Sequence, residues 1–328
     1  MCCTDLRNLE GGFVAGPKKK QHYVPQFYLN EFADAHHQLF VFDKFERRSY
    51  RTQVGNIANE RYFYDFPQDD NSDSDGISDA DVQITFKYKG DIPNAQVIED
   101  TFSALEGDYS TAFRDIQQTI GDRKPLSLKQ KYILSHFIAV QYRRTPEYRR
   151  LLTEASEKFI TKLWEKTHKY HPIRVKFNQK YASLAQALDM FDPFANTQLI
   201  QVLMSHIWII GLNESDTPLY TSDQPVVKMS RRDLQGFGSL GIQITLPFTA
   251  KNVLLLCDRR EFLPIVLAGY EDSYLPLDSE DVKHYNSLQV LDSYRQIYCP
   301  IGDFLFAAEL CAEHPAVCTP KQSRIEVS

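Results

Sequence analysis

Eight polar residues in four short segments have the types and spacing of a reactive or anion-binding site. His22 and Gln26 flank Pro25, and a helix starting at that proline turns both side chains to one side. An imidazole placed there can be a general acid or base, a metal ligand or a phosphate-binding donor, or it can simply hydrogen-bond the turn. Glu99 and Glu106 fall about 20° apart around a helix axis and about 10 Å apart along it. They share a face. Glu106 lies on or beside the apolar stripe of that helix, where an unpaired carboxylate is costly, so it needs a partner. Arg144 extends the apolar row Ile133, Phe137, Val140, and Gln141 extends Leu134, Ile138. An Arg at that place either locks helices together through a buried Glu–Arg pair or holds an anionic group beside catalytic carboxylates. Ser222 and Asp223, within TSDQPVV, sit at a strand-to-turn junction where an Asp caps a turn or is presented at a cleft.

Two functions follow from these residues. In the first, the protein is a hydrolase acting on a nucleic-acid or nucleotide phosphoester. His22, Glu99, Glu106 and Asp223 are then catalytic, and Gln26, Gln141, Arg144 and Ser222 bind substrate. A divalent metal is the cofactor such carboxylates would take. In the second, the protein is a non-enzymatic binding or regulatory module, and the same His, Glu, Arg and Asp residues form a buried network that fixes the packing of helices on a sheet. No GxSxG elbow, HExxH pair, P-loop or GxGxxG fingerprint occurs, which removes support from the common serine hydrolases, zincins, P-loop enzymes and dinucleotide enzymes.

The elements that must position these residues can be read from periodicity. The spacing of Ile98, Phe102, Leu105, Tyr109, Phe113, Ile116 and Ile120 predicts an amphipathic helix over 95–120. Ser127 followed by Gln130 is a capping-box signature for a second helix ending near Arg144. Thr145-Pro146-Glu147 opens a third, running to about Trp164. A short helix is predicted over 26–32, further helices over 183–190, 197–212 and 280–291, and strands at 38–43, 62–66, 218–227, 242–247, 252–257 and 296–299, with a turn or short helix over 56–60. Strands at both ends around a helical middle point to an α+β fold, a central helical bundle packed on a mixed or antiparallel sheet built from N- and C-terminal strands. The expected organisation is a flexible arm over 1–20, one domain over 21–310 with an acidic surface loop at 69–81, and a tail over 311–328.

Within that loop, NSDSDGISDADV places Asn71, Asp73, Asp75, Gly76 and Asp79 as an EF-hand would, but Val82 stands where the bidentate glutamate belongs, which favours a solvated acidic insertion. His206 reads as a satisfied core histidine, and His36-His37 as a solvated pair. Cys257 and Cys299 lie in apolar strand-like contexts and Cys311 and Cys318 flank a Pro-containing loop; no pair has zinc-knuckle spacing, so reduced buried thiols are expected. Acylation of Cys2 or Cys3 is the alternative for those two.

Composition bounds the partners. With 37 Lys and Arg against 43 Asp and Glu, the formal charge of −6 gives no overall basic field for nucleic acid. Nucleic acid remains a partner only through a local groove, for which Lys18 to Lys20 with Arg47, Arg48 and Arg51 are the candidates, charge runs otherwise being solvated faces. The longest apolar run, Leu199 to Leu212, is short of the ~20 residues of a membrane span. Asp5, Arg7 and Glu10 stand where a signal peptide needs its apolar stretch, so a cytoplasmic location is expected.

The ordered landmarks QHYVPQFYLNEF, NIANERYFYDF, IEDTFSALE, FIAVQYRRTPEYR, PLYTSDQPVV and ITLPFTAKNVLLL resemble the bacterial domain-of-unknown-function 4238 family over Gln21 to Cys299. The opening HYVPQFYLxxF is the specific element. Gln21 and Glu31 depart from the family pattern, which usually has a basic or histidine residue before His22 and Arg-Asn near positions 30–31; that departure speaks against phosphate binding by the opening motif. The resemblance implies a fold shared with bacterial proteins of unassigned activity, and a common site within the segments that hold the eight residues above.

Overall fold

The computed structural model describes residues 18–66, 81–84, 96–167, 174–230 and 236–320. Residues 71–80 of the twelve-residue calcium-loop candidate, Cys2, Cys3 and residues 1–17 of the expected arm lie outside them. The chain opens with β1 (Lys20–His22), α1 (Gln26–Leu29), β2 (Gln38–Asp43), β3 (Arg48–Gln53) and β4 (Asn59–Arg61). Pro25 is extended, at φ −62° and ψ 139°, and α1 begins directly after it, continuing as a 3-10 turn over Asn30–Phe32. That turn buries Tyr28, Leu29 and Phe32. The aromatic stretch 62–66 is a turn rather than the expected strand: Tyr62 takes φ 56°, and only Asn59–Arg61 pairs, antiparallel to β1.

After β5 (Asp81–Ile84) come three long helices, α2 (Val97–Gly121), α3 (Leu128–Arg143) and α4 (Pro146–Thr167). In α2 the residues Ile98, Phe102, Tyr109, Phe113, Ile116 and Ile120 are buried, as the spacing predicts. The capping box of α3 is formed in both directions between Ser127 and Gln130. Next are β6 (Arg174–Phe177), α5 (Ala182–Met190) and α6 (Pro193–Met204), the last capped by Asp192.

The predicted helix over 197–212 is half right. Helix α6 stops at Met204, and β7 (Ile207–Asn213) follows, a fully buried strand at the centre of the molecule. Its β-branched and aromatic residues Ile207, Trp208, Ile209 and Ile210 alternate between two cores, Trp208, Ile210 and Leu212 on one face and Ile207 and Ile209 on the other. A continuous apolar run looks the same for a buried strand and a buried helix, and β-branching decides it here. Gly211 completes the strand, since a Cβ there would come within 2.7 Å of Leu277 and 2.8 Å of Val253.

The remaining elements are β8 (Thr221–Ser222), β9 (Val227–Ser230), β10 (Ile242–Thr249), β11 (Asn252–Cys257), α7 (Leu263–Leu267), β12 (Ser273–Leu277), α8 (Ser279–Asp292), β13 (Gln296–Cys299) and α9 (Leu305–Glu313). They complete two sheets. The larger has the order β12-β7-β11-β10-β9 and is mixed, β12 running parallel to β7. Residues Phe113 of α2 and Phe137 of α3 join Phe248, Leu254 and Leu256 in the core on one face, while Val282 and Tyr285 of α8 pack with Leu255 and Leu277 on the other. The smaller sheet, β3-β2-β13-β8, joins the two ends of the chain: β2 pairs antiparallel with β13 from Phe40↔Cys299 to Asp43↔Gln296. The fold is α+β, and N- and C-terminal strands do share a sheet. Residues 311–318, read from sequence as the start of a tail, hold the end of α9 and a 3-10 turn, and Cys311 and Cys318 are buried in a cluster with Phe42, Tyr220 and Phe304. Among the described residues no helix is long and apolar enough to cross a membrane.

Candidate functional site

Local backbone pairing delivers His22. The β1–β4 ladder sets it opposite Asn59, and Tyr23 donates its amide to the Ala58 carbonyl at 2.9 Å. Gln21 is fully buried behind it and accepts from the Tyr64 amide at 2.6 Å. The imidazole is partly buried. Its Nδ1 lies 3.4 Å from Gln26 Nε2 and its Nε2 lies 3.5 Å from Asn59 Nδ2, so Gln26 does reach the same side. Burial lowers its pKa; Glu106 opposes that shift and Arg144 adds to it. A neutral ring at pH 7 is the result.

Arg144 is the anchor beneath. It is 1% exposed and lies at the C-terminal cap of α3. One terminal nitrogen, Nη2, donates both to the His22 carbonyl and, at 2.8 Å, to Glu106 Oε1, while Nε donates to the Tyr64 hydroxyl at 3.3 Å. The Phe102 ring covers the guanidinium, with 4.1 Å between its carbon and the ring centroid. Burial opposes the charge, but Tyr64 and Glu106 outweigh it and the pKa rises. The Tyr64 hydroxyl returns a bond to the Arg144 carbonyl at 3.1 Å, closing a loop of donors and acceptors across three segments.

The two glutamates share the face expected of them. Glu106 pairs with Arg144, and Glu99 lies 3.6 Å from Lys18 Nζ with only 13% of its side chain exposed. Burial raises the pKa of Glu99, Lys18 opposes this, and the nearby charge of Glu106 adds to it. Gln141 is buried and donates to the Tyr23 carbonyl at 3.0 Å, its Oε1 having no hydrogen-bond partner.

Ser222 and Asp223 belong to a second centre. Ser222 Oγ donates to Gln289 Oε1 at 2.7 Å and accepts from the Gln224 amide at 3.2 Å. Asp223 accepts from three consecutive amides, those of Tyr294 at 2.8 Å, Arg295 at 2.7 Å and Gln296 at 2.8 Å. Burial raises its pKa against those amides and against Lys44. Burial first, then the charges of Asp223 and Glu60, push the Tyr23 phenol well above the ordinary value.

The structure thus gathers His22, Gln26, Glu99, Glu106, Arg144 and Gln141 around one junction and seats Ser222 and Asp223 in another. Among the described residues, no group of three or more His, Cys, Asp or Glu could hold a metal ion. His206 is buried, as expected, with Nδ1 2.7 Å from the Val202 carbonyl. Sequence reasoning missed Tyr64, Asn59 and Arg149. Arg149 stacks 3.6 Å over Phe63 and donates to the Phe63 carbonyl and to Gln186, each at 2.7 Å; burial pulls its pKa down to about 10. The available signal for Asn59 and Tyr64 was the crowding of aromatics with polar residues in NERYFYDF.

A model of the family described as protein of unknown function (DUF4238) matches residues 20–300. The chain belongs to the DUF4238 family. The junction at Arg144 and the centre at Asp223 both lie inside the DUF4238 match. No curated protein and no solved structure matches the chain.

Proposed function

We propose that this protein is a non-enzymatic binding or regulatory module whose buried polar network holds the His22 turn rigidly for a partner. One observation carries the reading: Gln141, Arg144, Ser222 and Asp223 are each 2% exposed or less, and each bonds to protein atoms. Groups engaged in this way support packing and have no open face for a substrate. The surface left to a partner is the rim above them, where Gln26, Lys18 and Lys20 are exposed beside His22. Thermal denaturation tests the reading. Alanine at Arg144 or Asp223 is expected to lower the midpoint by several degrees, and alanine at Gln26 to leave it in place. Variants of His22 and Asp223 that stay folded and stable yet lose a function of the protein count against it.

A phosphoester hydrolase is the second reading, supported by the opposite shifts of two neighbours of Glu106: His22 is held neutral and Glu99 is pushed towards its protonated form. Such a divergence is how an acid and a base are made from ordinary side chains. Turnover of bis(p-nitrophenyl) phosphate that disappears in both His22→Gln and Glu99→Gln supports it; no turnover by the wild type sinks it.

A further inference from the structure

Cys311 lies on the buried side of α9, and Cys318 ends the 3-10 turn over Pro315–Cys318 that folds back beneath it. They are 1% and 6% exposed, in one apolar cluster against Phe42 and Phe304. Cys318 Sγ donates to the Cys311 carbonyl at 3.8 Å. Cys299, in the same cluster, bonds instead to the Ile301 backbone and stands apart from the pair. The positive charges of Lys44 and Arg47 lie close enough to favour a thiolate on Cys311, although burial dominates and pushes it up to about 12.

We propose that Cys311 and Cys318 are a reversible dithiol–disulfide pair that fastens the turn after α9 onto the smaller sheet. The pairing needs no rearrangement of distant elements, because the two residues lie seven apart on consecutive elements and Cys318 Sγ already sits against the Cys311 carbonyl. The oxidant is a small disulfide of the glutathione class. Cys318, the more exposed of the two at 6% against 1%, attacks it as thiolate and forms a mixed disulfide, releasing one small thiol. Cys311, deprotonated in turn, attacks the Cys318 sulfur and releases the second small thiol. Two protein thiols are oxidised and one small disulfide is reduced to two thiols, so electrons and protons balance. Closing so short a loop lowers the entropy of the unfolded chain.

Full-length protein equilibrated with glutathione disulfide, alkylated, and cut with trypsin and Glu-C without reductant tests this. Cleavage after Glu309 and Glu313 separates all three cysteines of the region. The expected product is the Cys311 fragment joined to the Cys318 fragment, about 2 Da lighter than the two thiol forms together and parted by dithiothreitol. The oxidised protein is expected to melt roughly 2–4 °C higher than the reduced one, a difference that Cys318→Ser abolishes. Recovery of both cysteines fully alkylated, or of either joined to another cysteine, overturns the proposal, as does a joined pair with no gain in melting temperature. The fragment mapping uses the wild-type chain, so a variant that fails to fold does not blunt it.

Discussion

Arg144 and Asp223 are both charged and almost fully buried, yet the protein satisfies them in different ways. Arg144 is held by a carboxylate, a phenol and a carbonyl from three separate segments, and its carboxylate partner keeps 27% of its side chain exposed. Asp223 is held by three backbone amides in a row, which no side-chain motion can withdraw. The first arrangement is an adjustable joint that communicates with solvent through Glu106 and His22. The second is a lock, fixing the start of β13 to the strand-to-turn junction after β8.

The largest test of that contrast is Asp223→Ala, which leaves three amides without their acceptor and should cost about 3–5 kcal/mol in urea unfolding. Asp223→Asn keeps part of the acceptor set and should cost clearly less; equal losses would mean that the amides are not what holds the junction. Arg144→Met comes next. It keeps the contact with Phe102 but strands the His22 carbonyl and Glu106, and about 2–3 kcal/mol is expected because Glu106 can rehydrate. If Arg144→Met proves more damaging than Asp223→Ala, the roles of joint and lock are reversed. Ser222→Ala removes the bond to Gln289 and the one from the Gln224 amide beside the lock and should cost about 1–2 kcal/mol.

The smallest effect is at His22 and depends on pH. Burial holds the folded pKa of His22 below its ordinary value of 6.5. The unfolded chain therefore binds the extra proton first, so the stability contributed by the neutral ring is fully present above pH 6.5 and is lost as pH falls from there through the lowered folded value. Melting curves of wild type and His22→Gln should accordingly converge as the buffer is taken below 6.5. Curves that stay parallel across that range would show that the ring is not buried in solution.

How much of this was legible in the sequence depended on whether a residue's partners are close along the chain. The α2 stripe, the Ser127–Gln130 capping box and the apolar strand at 296–299 are local patterns, and they form as read. The Glu106–Arg144 pair was also within reach, because Glu106 lies on or beside an apolar stripe, Arg144 ends one, and a buried charge needs a counter-charge. Asp223 was not. Its acceptors' partners lie 71–73 residues further on and are backbone amides, which carry no side-chain signature. The polar β3, RSYRTQ, escaped notice because an edge strand needs little apolar character, and the aromatic 62–66 turn misled because β-propensity reports fit to a half-buried surface and not the path of the chain.

The pairing of β2 with β13 has a consequence for biosynthesis. Arg295, at the entrance to β13, bonds Asp43 of β2 across 252 residues of chain. At roughly 5–20 residues per second, a ribosome leaves β2 waiting tens of seconds for its neighbour. During that time the edge that β13 will cover is open, carrying the apolar side chains of Leu39, Val41 and Phe42. The nascent β2–β3 hairpin is therefore the segment on which a chaperone that shields strand edges would act first.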